Sequence, residues 1–313
     1  MSTKPVIVVG GPTASGKSGL ALGLAQRVGG QIINADSMQV YRDLQVITAR
    51  PSLMEQGGVP HHLYGVLGRN DRNSAGIWRQ NALEIISGCH RANKVPFLVG
   101  GTGLYLRALM TGLHRMPSVP AEFRYSLNQR LRLEGPTVLH RELSEMDPGM
   151  AKRLHPADGQ RIVRALEIFL YTGKRLSDWQ IGETEAAPKG LRFFTIVILP
   201  ERDILYHAIN ERFDRMLNAG AIEEVKRMLA AGPKDDYPPL RAVGVPPIRS
   251  FLDGVMHRDR MIDTAKRDTR RYAKRQETWF RHQIIPDIVI QTKYSEISLD
   301  KIFPDISKFL LTD

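Results

Sequence analysis

Short apolar runs alternate with stretches of helical periodicity along the chain, and this alternation predicts the fold. Four runs predict buried strands, over residues 6–9, 31–35, 94–99 and 193–199. Amphipathic helical patterns separate these runs, and Ser74 is positioned to cap the one that extends to residue 92. Buried strands that alternate with helices are typical of an α/β fold with a parallel sheet flanked by helices.

The most specific motif lies between the first predicted strand and a helical stretch over residues 19–27. Residues 11–18 read GPTASGKS, which matches the pattern GxxxxGK[ST] in its strand–turn–helix context. Backbone N–H groups of such a turn and of the helix N-terminus converge with the charge of Lys17 on one point. We therefore predict a P-loop NTPase-like sheet that binds a di- or triphosphate, which on the motif alone includes ATP.

Asp36 directly follows the second predicted strand. Ligands of open α/β sheets bind beyond the carboxyl ends of the strands, so we expect Asp36 to face the same crevice as the P-loop. The strand over residues 94–99 ends on glycines and Thr102 instead of the aspartate that helps to hold Mg²⁺ in ordinary P-loop NTPases. Asp36 is then the best carboxylate near the phosphates.

Two linker-like segments, residues 116–120 and 182–190, enclose only helical patterns. We therefore predict an inserted all-helical subdomain over residues 116–190 in a P-loop core formed by residues 1–115 and 191–313. Arg161 and Arg164 neighbour each other on one predicted helix of the insertion. They form either a solvated face or, because the insertion is placed to overhang the crevice, a ligand contact.

The net charge of +11, from 44 Lys and Arg against 33 Asp and Glu, suggests a polyanionic partner. Residues 258–281 carry nine positive and four negative side chains, a net charge of +5, on a predicted amphipathic helix over residues 259–280. A basic helical stripe with embedded aromatic residues is typical of a protein that binds a phosphate backbone. A solvated surface helix is the alternative.

Several other features limit the function. The single cysteine, Cys89, excludes an intrachain disulfide and a cysteine metal cluster, and we expect it to be buried in a helix. His61 and His62 are adjacent in a possible strand over residues 61–67 and would point to opposite faces, so we interpret them as structural. The start of the sequence leads into the first strand without an apolar leader, and no apolar run has transmembrane length. We expect a cytoplasmic monomer without a membrane partner.

Five motifs in a fixed order carry a family resemblance. They are GPTASGKS at residues 11–18, Asp36-Ser37, LVGGTGLY at residues 98–105, RIVRALE at residues 161–167 followed by TGK, and TRRYAKRQ at residues 269–276 followed by TW. The chain closely resembles the tRNA dimethylallyltransferases, also called tRNA isopentenyltransferases, over nearly its whole length.

The resemblance implies transfer of a dimethylallyl group from dimethylallyl diphosphate to tRNA, with Mg²⁺ as the metal. The acceptor would be N6 of the adenosine 3′ to the anticodon, in the anticodon stem-loop of tRNAs that read codons beginning with U. The resemblance implies that Asp36 is the catalytic base. From the chemistry, we expect Lys17 and Mg²⁺ held by Ser18 to stabilise the departing pyrophosphate, and Thr102 to help orient the base or the amine. The implied diphosphate ligands are Thr13, Ala14, Ser15, Gly16, Lys17 and Ser18, and we expect Gly11 to join them. The expected tRNA contacts are Asp36, Ser37, Met38, Gln39, Thr102, Arg124, Gln160, Arg161, Arg164, Arg270, Arg271, Lys274 and Arg275.

The sequence departs from the family pattern in two places. Tyr64-Gly65 follows His61-His62-Leu63 where the family usually has Ile-Asp. Residues 243–247 read VGVPP where the family commonly reads Ile-Gly-Tyr-Lys-Glu, and we expect the two prolines to alter a tRNA-contacting backbone. The alternative functions are an ATP-dependent kinase of a small metabolite and a non-catalytic RNA-binding P-loop protein or NTP-driven regulator.

Overall fold

A computed structural model of the chain describes residues 3–182, 184–292 and 296–312. It divides into two compact units, one formed by Met1–Thr111 with Pro188–Asp313 and the other by Gly112–Ala187. The strands are β1 (Lys4–Gly10), β2 (Gln31–Asn34), β3 (His61–His62), β4 (Pro96–Gly100), β5 (Leu113–His114), β6 (Thr184–Glu185), β7 (Leu191–Ile198) and β8 (Ile288–Ile290).

The helices cover most of the remaining chain. They are α1 (Lys17–Val28), α2 (Ala75–Arg91), α3 (Gly103–Thr111), α4 (Ala121–Glu134), α5 (Pro136–Met146), α6 (Pro148–Arg153), α7 (Gly159–Thr172), α8 (Leu176–Trp179), α9 (Arg202–Asn218), α10 (Ala221–Ala230), α11 (Val245–Leu252), α12 (Arg258–Gln283) and α13 (Glu296–Leu311). No described helix is long and apolar enough to cross a membrane.

The larger unit is built on a six-stranded sheet with the order β3-β2-β4-β1-β7-β8. Every pairing in it is parallel, and β1 lies between β4 and β7, with Val8 beside Leu98 on one side and Thr195 on the other. The predicted parallel α/β sheet is therefore confirmed. The strand expected over residues 61–67 is shorter, because only His61 and His62 pair with β2.

Successive side chains of β1 belong to two apolar layers, one on each face of the sheet. Val6 and Val8 join a cluster with Trp78 of α2 and Phe280 of α12. Ile7 and Val9 join another cluster with side chains of α1 and α13. Successive side chains of a strand point to opposite faces, which is why one apolar run supplies both layers.

Prolines 246 and 247, which we expected to alter the backbone, lie in a regular helix. They occupy the first turn of α11, which Gly244 precedes with φ of 96°. The first N–H groups of a helix have no intrahelical acceptor, so proline removes no hydrogen bond there. This departure from the family pattern leaves a regular helix.

The smaller unit is helical, with a short antiparallel pair formed by β5 and β6. The segment predicted as a linker over residues 182–190 thus contains a strand, while its Glu183 lies outside the described residues. Leu139, Leu143, Ile162 and Leu166 from α5 and α7 form the centre of this unit and are fully buried.

Candidate active site

The P-loop segment, residues 11–18, connects β1 to the start of α1. Ala14 and Gly16 have positive φ values of 64° and 93°, which turn the backbone into the helix. Lys17 opens α1, and burial lowers the pKa of its ammonium to about 8, against the opposing charge of Asp36 and with the added charge of Arg212. The segment therefore places a cation and the N-terminus of a helix at one point.

Helix α12 packs directly against this loop. The Thr13 N–H donates to Gln276 Oε1 at 2.9 Å, and Gln276 Nε2 donates to the Gly101 carbonyl at 2.9 Å. A Cβ atom on Gly101 would overlap the Gln276 amide, and one on Gly103 would overlap the ring of Trp279. The glycines after β4 thus give α12 a close approach to the loops of the site.

Asp36 follows β2, and its carboxylate accepts hydrogen bonds from the backbone of the turn that it begins. Its Oδ1 accepts hydrogen bonds from the backbone N–H groups of Met38 at 2.9 Å and Gln39 at 3.3 Å. The other carboxylate oxygen accepts no hydrogen bond from the described residues. Asn34 holds the Asp36 backbone on both sides, since its Oδ1 accepts from Asp36 N and its Nδ2 donates to Asp36 O. The turn fixes one carboxylate oxygen and leaves the other available.

Thr102 ties the loop after β4 to the loop after β2. Its Oγ1 accepts from the Ser37 N–H at 2.9 Å, and its own N–H donates to the Ala35 carbonyl at 3.1 Å. Gln39 is also engaged, because its Nε2 donates to the carbonyls of Thr48 and Ala49 at 2.9 Å each. The predicted residues thus form two hydrogen-bonded pairs, Ser37 with Thr102 and Asp36 with Gln39.

Three adjoining cavities surround these residues. The Asp36 cavity, about 280 Å³, is lined by Asp36, Thr13, Tyr272 and Arg275 among others. The P-loop cavity, about 400 Å³, is lined by Lys17, Ser18 and neighbours. The central cavity, about 40 Å³, shares Thr13, Asp36, Thr48 and Arg212 with the first and Lys17, Ser18, Ala49, Tyr64, Val99 and Arg212 with the second. Asp36 and Lys17 both line the central cavity.

Arg212 is a site residue that the sequence analysis missed. It lies on α9 and lines all three cavities, and no described residue bonds to its guanidinium. Burial lowers its pKa, and the charge of Asp36 opposes that change. In the sequence, Arg212 lies about one helical turn from the apolar residues Ile209 and Met216. This spacing could have placed it on their face of α9, which lines the Asp36 cavity.

Glu224 of α10 is a second missed residue, and it supports the cavity wall. The carboxylate is 6% exposed and accepts the backbone N–H groups of Gln45, Val46 and Ile47 at 2.7 to 3.0 Å. The next residues, Thr48 and Ala49, line the central cavity. A charged acceptor in α10 thus fixes a loop that is distant in sequence.

The basic residues of α12 fall into two groups. Arg271, Lys274 and Arg275 are exposed, and Arg275 also lines the Asp36 cavity. Arg270 is partly buried and donates to Asn210 at 2.7 Å, so it is not part of a freely solvated stripe. Lys266 forms an ion pair with Asp214 at 2.7 Å.

The predicted tRNA contacts of the smaller unit are also of two kinds. Arg124 and Arg164 both bond the carboxylate of Glu167, whose side chain is fully buried. Burial would raise the pKa of Glu167, but the two guanidinium groups outweigh it and hold the pKa below its usual value. Gln160 and Arg161 are exposed at the start of α7. Glu167 gives both Arg124 and Arg164 a structural partner.

The donor set suits Mg²⁺ that arrives with a phosphate ligand. The described residues contain no cluster of three or more His, Cys, Asp or Glu side chains able to hold a metal. Mg²⁺ usually keeps several waters and binds through substrate phosphates and one or two protein oxygens. Ser18 and Asp36 line the central cavity together and can supply such oxygens.

Family comparisons agree with the motifs. A family model described as IPP transferase matches residues 39–283, and one described as isopentenyl transferase matches residues 4–61. A tRNA dimethylallyltransferase of Rhodospirillum centenum is 50% identical over 283 residues, 90% of each chain. One of Rhizobium leguminosarum bv. trifolii is 46% identical over 284 residues, covering 91% of this chain and 96% of its own.

Solved structures of relatives share the fold. A tRNA isopentenylpyrophosphate transferase of Bacillus halodurans is 34% identical with a TM-score of 0.70, over 99% of this chain and 97% of its own. A eukaryotic dimethylallyltransferase acting on tRNA is 28% identical with a TM-score of 0.75, over 97% of this chain and 80% of its own. These matches confirm the family predicted from the motifs: the chain belongs to the IPP transferase family.

Proposed function

We propose that this chain transfers the dimethylallyl group of dimethylallyl diphosphate to N6 of the adenosine 3′ to the anticodon, in tRNAs that read codons beginning with U. The family and the names of the relatives support transfer to tRNA. The observation that carries the chemistry is the central cavity, in whose wall Asp36 and Lys17 both lie. A carboxylate that accepts a proton and a cation that binds a leaving anion are thus at one site.

Asp36 acts as the general base. The lone pair of an exocyclic adenine amine is delocalised into the ring, so the amine gains from a carboxylate that takes its proton as the N–C bond forms. The carboxylate oxygen without a partner is available for that proton, while the other oxygen keeps the turn closed. General-base help of this kind is typically worth ~10²–10⁴-fold in rate.

Lys17 and Arg212 stabilise the departing pyrophosphate. The allylic C–O bond breaks as the N–C bond forms, and the bonding electrons leave with the diphosphate. Two cations that line the same cavities, with the N–H groups at the start of α1, oppose the negative charge that develops there. Mg²⁺ bound to the diphosphate and to Ser18 would add Lewis-acid stabilisation of the same charge.

An adenine stacked in an anticodon loop has to be flipped out to enter the Asp36 cavity. The exposed Arg271, Lys274 and Arg275 of α12 would hold the RNA backbone near that cavity, with Gln160 and Arg161 of the smaller unit as further contacts. The expected cytoplasmic location and monomeric state stay predictions.

Mass spectrometry of nucleosides tests the proposal. The protein is incubated with tRNA, Mg²⁺ and either dimethylallyl diphosphate or ATP, and the digested tRNA is weighed for a dimethylallyl adduct on adenosine. We expect the adduct with dimethylallyl diphosphate alone. Phosphorylated products with ATP would favour the kinase alternative, and tRNA binding without any adduct would favour a non-catalytic protein.

A further inference from the structure

Tyr64 lies in the wall of the site, at the first of the two departures from the family pattern. It lines both the P-loop cavity and the central cavity, together with Lys17 and Arg212. Its ring lies 5.5 Å from that of His61 between centroids and packs against the apolar layer that contains Ile32. Tyrosine therefore brings a phenol to a position where the resemblance led us to expect isoleucine.

Gly65, which follows Tyr64, lies where only glycine fits. Gly65 has φ of 60°, and a Cβ atom there would overlap the guanidinium of Arg50. That guanidinium donates to the Arg42 carbonyl at 3.2 Å. Arg50 thus occupies the space beside Gly65 and leaves no room for a larger residue there.

The Tyr64 hydroxyl has no hydrogen-bond partner among the described residues. Burial and then the charge of Asp36 raise the pKa of the phenol, so the hydroxyl stays protonated and keeps its donor. Tyr64 is partly buried, and its hydroxyl is free to donate to a ligand that enters these cavities. Its surroundings include two cations, so the fitting ligand atom is an anionic oxygen.

Two anionic acceptors can reach the central cavity, the Asp36 carboxylate and a diphosphate oxygen. Tyr64 makes no hydrogen bond to Asp36 although both side chains line this cavity. Lys17 and Arg212, by contrast, line the same two cavities as Tyr64 and suit a diphosphate. This arrangement favours the diphosphate.

We propose that Tyr64 binds the donor substrate, with its hydroxyl donating a hydrogen bond to the diphosphate beside Lys17 and Arg212. The inference rests on the proposed function, because it takes the ligand of the P-loop cavity to be an allylic diphosphate. It adds a contact that an aliphatic residue at this position would not make.

Tyr64→Phe removes the hydroxyl and keeps the ring. Isothermal titration of the full chain with inorganic pyrophosphate and Mg²⁺ should show roughly tenfold weaker binding in the variant, the size expected for a lost hydrogen bond to a charged group. The KM for dimethylallyl diphosphate should rise by a similar factor, while the KM for tRNA and the melting temperature stay unchanged. Tyr64→Ile also lacks the hydroxyl and should weaken pyrophosphate binding by the same factor. This variant tests the proposal if Tyr64→Phe does not fold.

Equal pyrophosphate affinity in the wild type and in either folded variant would overturn the role of Tyr64 and leave the proposed function standing. An unchanged affinity with a shifted pH profile of kcat would assign the hydroxyl to Asp36, which also overturns it. The loss of pyrophosphate affinity in the Tyr64 variants is compared with the loss in Lys17→Ala, which lacks the P-loop cation. If the wild type bound no pyrophosphate and formed no adduct on tRNA, both the inference and the proposed function would fail.

Discussion

Gln276 and Thr13 are 263 positions apart in the sequence, yet the backbone N–H of Thr13 donates to Gln276 Oε1 at 2.9 Å. The same side-chain amide donates from Nε2 to the Gly101 carbonyl at 2.9 Å. One buried residue of the basic helix therefore holds the P-loop segment and the loop after β4 together. The Thr13 N–H thus has Gln276 as its acceptor here, and its expected contact with a diphosphate stays a prediction.

Replacing Gln276 should weaken both folding and donor binding. In Gln276→Met, the Thr13 N–H and the Gly101 carbonyl lose their partners, and each buried unsatisfied group costs about 1–3 kcal/mol. We expect the free energy of unfolding to fall by about 2–4 kcal/mol, measured by urea denaturation, and the KM for dimethylallyl diphosphate to rise. Arg267→Met, on the exposed face of the same helix, is the control and should change neither quantity. Unfolding curves that coincide with the wild type would contradict the role of Gln276.

Asp36→Asn removes the general base but keeps an acceptor for the turn. Asparagine keeps an oxygen that can accept the Met38 and Gln39 N–H groups, but its amide accepts no proton at neutral pH. We expect kcat to fall by ~10²–10⁴-fold, with tRNA affinity and melting temperature close to the wild type. Asp36→Ala should lose activity and, in addition, melt at a lower temperature because the turn loses its acceptor. Turnover near the wild-type rate in the asparagine variant would exclude Asp36 as the base.

Local patterns carried much of the fold and part of the site. The apolar run of β1, the GxxxxGK[ST] motif and the Ser74 cap depend on neighbours in the sequence, and the structure has β1, α1 and the hydrogen bond from Ile77 N to Ser74 Oγ where they were predicted. Asp36 was found because parallel strands end at the same edge of a sheet. Each of these inferences needs only a short stretch of chain.

The remaining site residues depend on contacts between distant segments. Gln276 was recognised as the last residue of the motif at 269–276, and its partners Thr13 and Gly101 could not be named without the fold. Arg212 looked like one of many charged positions on a surface helix, and only the packing of α9 shows that it lines the cavities. Arg270 was predicted as a tRNA contact, and its partner Asn210 could not be identified because it lies on another helix. Periodicity assigns a face of a helix but does not identify what covers it.

The affinity for pyrophosphate should depend on pH through Lys17. Burial lowers the pKa of its ammonium to about 8 in the free protein, and a bound dianion favours the charged form and raises that pKa. Binding is therefore strongest below pH 8 and weakens as the pH rises, by roughly tenfold one unit above the free pKa. Titration calorimetry at fixed ionic strength measures the profile.

Lys17→Arg provides the matched control for that profile. Arginine stays protonated throughout this range, so the variant should show only the titration of the ligand itself. The difference between the two profiles isolates Lys17. Parallel profiles for lysine and arginine between pH 7 and 9.5 would mean that the ammonium does not titrate in this range.

Arg271 and Lys274 allow the sharpest test of the basic helix as an RNA-binding surface. Both are exposed and lie three residues apart on α12, whereas Arg270 is held by Asn210. Each phosphate contact adds roughly 0.7–0.9 to the slope of log K against log salt, because neutralising a phosphate releases counterions. The double variant Arg271→Gln, Lys274→Gln should therefore bind the anticodon stem-loop more weakly and lower the slope by about 1.5, measured by fluorescence anisotropy.

The double variant Lys301→Gln, Lys308→Gln removes the same charge from exposed positions of α13 and should leave the slope unchanged. Equal slopes for both double variants would show that net charge, and not the surface of α12, sets the affinity for tRNA.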